Sequence, residues 1–228
     1  NLFDEIKVEK NSFFKINYIG KFAPENNLFD DCILERLFET FRISKPKLNF
    51  IIKKNIPVQA GLGSASSNAA AVFRILEKMN IYKINDIKDT KILGSDIPLF
   101  LNQKDCLIQG TGEKITNKMY PKYYFLLVKP NSQCSTKEMY NLIKNHDLDY
   151  NVENNYEEIN EFDIGNDFEK IIIRINEEVT QILNFFKDLE CVIFSRMTGT
   201  GSCCYAAFDK KKDAENAQKI SEICCPLH

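Results

Sequence analysis

The spacing of apolar positions switches between period two and helical spacing several times along the chain, and each switch marks an expected element. Residues 2–8 and 12–20 read as two strands, the second carrying the aromatic and β-branched Phe13, Phe14, Ile16, Tyr18 and Ile19. Ile33, Leu34, Leu37, Phe38 and Phe41 then recur at helical spacing and predict a helix over 28–41. Strand character returns at 48–52. A second helix is predicted over 67–80 from Ala70, Ala71, Phe73, Ile75, Leu76 and Met79. A short helix follows at 85–93, then an apolar run at 99–101 and a strand at 106–109 that ends in the glycine turn 110–113.

Residues 114–122, with Pro121, form the expected domain junction. Beyond it, strands are predicted at 123–129, 192–196 and 202–208, with helices at 136–143, 168–175, 178–189 and 210–223. The stretch 144–166 is rich in Asn, Asp and Glu and reads as a solvated connection. Strands and helices alternate without a regular βαβ cadence, which favours a two-layer α+β architecture in two halves, 1–117 and 118–228.

Composition narrows the function classes. A chain of 228 residues with 44% hydrophobic and 27% charged residues can bury a sizeable core. A net charge of −2 argues against a nucleic-acid partner, and no apolar run is long enough to suggest a membrane span. Eight cysteines form no C-x-x-C pair and only two histidines are present, so no metal site is expected. Reduced thiols in a cytoplasmic protein are the simpler account. The chain opens at Asn1 with neither an initiating Met nor a signal-peptide pattern, and reads as a fragment or processed product.

The chemistry concentrates at 57–70, between the strand at 48–52 and the helix after it. Gly61 and Gly63 permit tight backbone conformations there, and Ser64, Ser66 and Ser67 crowd the start of the helix. Backbone N–H groups leading into a helix N-terminus suit a bound phosphate; a serine-capped turn is the alternative. A second small-residue loop, Thr198, Gly199, Thr200 and Gly201, reads either as a tight turn or as a second approach to a polyphosphate. Asp96 lies at a break between apolar elements. It is either a turn aspartate or a carboxylate placed to receive a hydroxyl proton.

Together these segments resemble the GHMP kinase superfamily, in order along nearly the whole chain, and within it the diphosphocytidyl-methylerythritol kinases. Residues 57–70 look like the phosphate loop of that superfamily, 93–100 like its G-A-D-[VI]-P-x-F segment, 110–113 like its G-x-G-E turn and 196–201 like its third glycine-rich motif. Residues 166–169, Asn-Asp-Phe-Glu, are similar to the N-D-L-E segment of the diphosphocytidyl-methylerythritol kinases, where a capping or interdomain role is expected for Asn166 and Asp167.

The resemblance implies an α+β fold of two domains, a ribosomal protein S5 domain 2-like N-terminal half without its first strand and a ferredoxin-like C-terminal half. It implies ATP with Mg²⁺, and phosphorylation of the 2-hydroxyl of a cytidine-diphosphate-linked methylerythritol. Asp96 takes the role of base. Pro57, Val58, Gln59, Ala60, Gly61, Leu62, Gly63, Ser64, Ala65, Ser66 and Ser67 hold the triphosphate, and Asn27 and Lys54 match positions near the adenine. Thr198 to Gly201 form the substrate-side loop. The loop at 57–67 is poorer in glycine than the family's. The family's P-A-K-[IL]-N-L strand, with its catalytic lysine, and the D-G-Y-H segment are not in this sequence, so little activity is expected of the chain alone. A mevalonate-type kinase and a non-catalytic nucleotide-binding protein are the alternatives.

Overall fold

The computed structural model describes residues 2–25, 32–132, 134–145 and 165–224. Asn27 and most of the Asn/Asp/Glu-rich stretch lie outside these residues.

The alternation Leu48, Phe50, Ile52 drives the first sheet. These side chains of β3 (Leu48–Lys53) face the interior and are nearly inaccessible. β3 is the central strand. It pairs antiparallel with β1 (Glu5–Lys10), Val8 opposite Phe50, and parallel with β2 (Lys15–Ile19), Ile16 opposite Phe50. The two strands read from the first twenty residues therefore never pair with each other. Both add to a strand more than thirty residues later.

Two helices close the interior face of this sheet. α1 (Ile33–Thr40) buries Leu34, Leu37 and Phe38, and α2 (Ser64–Lys78) buries Ala69, Ala70, Val72, Phe73 and Leu76. Phe14, Phe38 and Phe50 meet edge to face or tilted at 4.7 to 6.0 Å, an arrangement that suits the aromatic quadrupole. The short helix expected at 85–93 is a 3-10 helix, Ile87–Ile92, capped by Asp86, which accepts a hydrogen bond from the Lys88 amide. The apolar run at 99–101 belongs to a short helix, α3 (Ile97–Asn102), with Pro98 in its first turn. β4 (Cys106–Gln109) and β5 (Lys114–Asn117) form a hairpin around the glycine turn. Residues 114–117 are thus a strand, because Ile115 pairs with Ile108, and the chain leaves its first unit only after Tyr120.

The second compact unit is built on an antiparallel sheet of order β6-β8-β7: β6 (Tyr124–Val128), β8 (Cys204–Phe208) and β7 (Phe194–Met197). Its inner face, with Leu126, Val128, Met197, Cys204, Ala206 and Phe208, packs on helices. These are α4 (Thr136–Asn145), α5 (Asp167–Ile175), α6 (Glu177–Asp188) and α7 (Lys211–Cys224), which contribute Met139, Ile172, Val179, Ile182, Phe186 and Ala217. On the opposite face Tyr123, Phe125, Phe194 and Tyr205 meet ring edge to ring face. Contacts divide the chain into Asn1–Val58 with Gly63–Tyr120, and Gln59–Leu62 with Pro121–His228. The tip of the first glycine loop therefore groups with the second unit. No helix among the described residues is long and apolar enough to cross a membrane.

Candidate active site

In the first unit, the loop leaves β3 through Lys54 and enters α2 through Gly63, whose left-handed backbone (φ 64°) places it at the N-cap. Glycine has no side chain to cap with, so no side chain of the cap residue covers the first amides of α2. That opening, with the positive end of the helix dipole behind it, fits a phosphate group. A Cβ at Gly63 would stand 2.9 Å from the ring of Phe100, so α3 lies directly under the entry to α2.

Beneath the loop is a buried ionic network. Asp4 and Lys54 form an ion pair whose side chains are 1% and 3% exposed. Lys54 also donates to Ser64 Oγ at 3.0 Å. Asp4 Oδ1 accepts from the amides of Asn55 and Ile56, each at 2.8 Å, and its Oδ2 accepts from Asn68 Nδ2 at 2.9 Å as well as from Lys54. One carboxylate thus ties the strand end to the first turns of the helix. Burial opposes the charge on Asp4, but the donors from Lys54, Ile56 and Asn68 outweigh it and hold the carboxyl below the usual range. Lys54, expected beside the adenine, is turned inward as a brace, and Ser64 is its partner. The family resemblance carried no signal of this, because Asp4 lies fifty residues away in sequence. Ser67 donates back to Ser64 O at 3.0 Å, leaving Ser66 as the hydroxyl of this turn nearest the surface segment at 94–96.

Asp96 occupies the N-cap position of α3 without capping it. Its carboxylate is exposed, and among the described residues its hydrogen-bond partner is Ser95, with Oγ 3.4 Å from Oδ1. A Cβ on Gly94 would lie 3.7 Å from Ser66 Oγ, which sets this segment against the first turn of α2. The turn at 110–113 supports it from the other side. Gly112 (φ 101°) approaches so closely that a Cβ there would be 2.2 Å from Ser95 O. Glu113 folds back to accept from Thr111 Oγ1 at 2.7 Å, from the Thr111 amide at 2.9 Å and from Lys91 at 3.2 Å. The Thr111 hydroxyl is the foremost of the donors that pull the Glu113 carboxyl down to about 2.

In the second unit the two glycine loops meet backbone to backbone. Thr198 Oγ1 donates to Gly61 O at 2.9 Å, and the Cys203 amide donates to Ala60 O at 3.2 Å. A Cβ on Gly61 would sit 2.0 Å from Thr198 O, and one on Gly199 2.9 Å from Gly61 O. Both glycines are therefore required by close approach. Gln59 and Leu62, between and beside these contacts, are more open, as are Pro57, Val58 and the exposed Ala65. Thr200 Oγ1 lies 3.1 Å from Thr136 Oγ1. Asn166 caps α5 by accepting from the Phe168 amide at 3.0 Å, and its Nδ2 donates to Met197 O and Gly199 O, both at 2.8 Å. Glu169 accepts from the Met197 amide at 2.7 Å, and its carboxyl is raised chiefly by burial. An open cleft of about 480 Å³ lies beside the loop, lined by residues including Tyr140, Asp167, Phe168, Arg196 and Tyr205.

Among the described residues no three carboxylate, thiol or imidazole side chains converge on a point that would hold a metal ion. The cysteines described, Cys32, Cys106, Cys134, Cys191, Cys203 and Cys204, are free thiols, and burial pushes Cys203 up to about 12.

Comparison with known proteins bears on what these features serve. The GHMP kinases N terminal domain model matches residues 27–96, which span the first glycine loop and Asp96, and the GHMP kinases C terminal model matches 142–221. The 4-diphosphocytidyl-2-C-methyl-D-erythritol kinase of Francisella tularensis subsp. tularensis (strain FSC 198) is 32% identical over 97% of this chain and 81% of its own length. The protein of the same name from Ehrlichia canis (strain Jake) is 30% identical over 77% of this chain and 66% of its length. A crystal structure of 4-(cytidine 5'-diphospho)-2C-methyl-D-erythritol kinase aligns with a TM-score of 0.71 at 21% identity, over 96% of this chain and 82% of that one. A crystal structure of L. major mevalonate kinase in complex with R-mevalonate aligns with a TM-score of 0.64 at 12% identity, over 98% of this chain and 83% of that one, a likeness of fold.

Proposed function

The chain belongs to the GHMP kinase family of ATP-dependent small-molecule kinases, and on that premise we propose that it phosphorylates the 2-hydroxyl of 4-diphosphocytidyl-2-C-methyl-D-erythritol, a step of the non-mevalonate route to isoprenoid precursors. The observation that carries this reading is the juxtaposition in the first unit of Ser66, at the uncapped start of α2, with the segment bearing the exposed Asp96. A phosphoryl donor on the helix N-terminus and a proton acceptor beside it are the parts that transfer to an alcohol requires.

In this assignment the backbone of 57–67 and the hydroxyl of Ser66, joined by that of Ser67 when it turns from Ser64 O, hold the triphosphate, while Asp96 accepts the proton of the attacking hydroxyl. The new P–O bond forms to the substrate oxygen as the bond between the γ-phosphorus and the β–γ bridging oxygen breaks, and ADP leaves with that electron pair. For Thr198 to Gly201 the role taken over from the family is that of the substrate-side loop. Mg²⁺ bound with the nucleotide would supply charge neutralisation at its phosphates. The reaction belongs in the cytoplasm, where the free thiols remain reduced. An assay of the purified protein with MgATP tests the assignment. With the family's P-A-K-[IL]-N-L strand supplied ahead of Asn1 it is expected to phosphorylate the cytidylyl substrate, and without that strand to show little turnover; turnover of mevalonate instead makes it a mevalonate-type kinase, and MgATP binding without turnover of either makes it a non-catalytic nucleotide-binding protein.

A further inference from the structure

The second glycine loop has no regular structure of its own, yet its backbone is gripped at successive peptides. The Thr198 amide donates to Cys203 O at 2.8 Å and the Gly201 amide to Thr198 O at 2.9 Å. From α5, Asn166 takes the carbonyls of Met197 and Gly199 while Glu169 takes the Met197 amide. Thr198, fixed between those two carbonyls, is the residue whose hydroxyl reaches Gly61 O, and the Cys203 amide holds Ala60 O beside it. A continuous series of hydrogen bonds therefore runs from the start of α5 to the tip of the first glycine loop. Gly61 and Gly199 are both in left-handed conformations, φ 71° and 53°, which glycine adopts without steric penalty.

We propose that Asn166 is a positioning residue for the ATP phosphates, acting through Met197, Thr198 and Gly199 on the backbone of Ala60 and Gly61, with Glu169 as its second anchor. The proposal rests on the kinase reading above for its ligand, though not for its geometry. The same side chain does two separable jobs. Its Oδ1 caps α5, and its Nδ2 holds the loop. Aspartate and serine are both good N-caps, but neither supplies the amide donor. Asp also sets a carboxylate against two carbonyl oxygens, whereas Ser is too short to reach them.

The test uses Asn166→Asp and Asn166→Ser, with amide hydrogen exchange and MgATP titration on each. Both variants are expected to keep the parent's thermal midpoint to within a few degrees, since the cap is retained. The amides of Met197, Thr198, Gly201 and Cys203 are expected to exchange faster. MgATP affinity is expected to fall roughly ten- to a hundredfold, equivalent to about 1.4 to 2.8 kcal/mol of binding free energy. Unchanged exchange at those four amides in both variants overturns the proposal whether or not the parent binds ATP. Faster exchange with unchanged MgATP affinity overturns it also. A parent protein that binds no MgATP removes the kinase reading alone, and the exchange measurement still decides whether the clamp exists.

Discussion

Asp4 and Asp96 are both aspartates of the first unit, and the fold treats them in opposite ways. Asp4 is enclosed, and Lys54, Asn68 and two backbone amides use its oxygens. Asp96 faces solvent, leaves its own helix uncapped and has a long contact to Ser95. A carboxylate that satisfies four donors contributes to structure and has no lone pair left for a ligand. One that the fold leaves unused, at the end of a segment buttressed on both sides, is available for chemistry. Lys54 makes the same point among the cations of this unit: it is nearly inaccessible and bonded to Asp4 and Ser64, so its charge serves the loop's support.

The contrast is broken most sharply at Asp96. With the family's lysine strand supplied ahead of Asn1, Asp96→Asn is expected to lower kcat by about 10²- to 10⁴-fold, the range for losing a general base, while the thermal midpoint and MgATP affinity hold. Steady-state kinetics beside a melting curve checks it, and near-normal turnover removes Asp96 as the proton acceptor. Asp4→Ala should show the reverse order of effects. It strands a buried ammonium and two amides, and a loss of about 3–5 kcal/mol is expected in denaturant unfolding, the scale for breaking a buried pair by removing one partner.

Gly112→Ala tests whether the glycine turn supports the Asp96 segment. The added methyl meets Ser95 O in a left-handed conformation, so a loss of about 1–3 kcal/mol is expected, with kcat reduced and the KM for ATP little changed. The smallest effect is in pH dependence. Asp4 has a folded pKa below its ordinary 3.8, so its contribution is complete above that value and is lost as pH falls through the folded pKa. Glu169 has a folded pKa above its ordinary 4.5, because burial penalises the charge. The folded state then holds more protons than the unfolded one, and stability falls as pH rises through the window just above 4.5. Glu169→Gln is expected to abolish that slope in chemical denaturation at stepped pH, whereas the acid-side loss from Asp4 persists.

Much of this molecule was legible in its sequence because the signals are local. Helical spacing in 33–41 and 67–80 located α1 and α2, glycines at 61, 63, 199 and 201 marked backbone that side chains would obstruct, and Asp96 stood out by lying at a break between apolar elements. For Asn166 the family resemblance implied a capping or interdomain role, and it caps α5. Other features escaped because their cause is distant in the chain. The hairpin strand Lys114–Asn117 is short and polar, and only its pairing with β4 makes it a strand. The sequence by itself determined which stretches could be helix, strand or glycine loop, since periodicity and the absence of a Cβ act within a few residues. Tertiary structure alone decided that β3 lies between β1 and β2, that Lys54 turns inward to Asp4, and that Gly61 meets Thr198. Each of these joins residues thirty or more positions apart, where burial and hydrogen-bond satisfaction in the assembled fold select the partner.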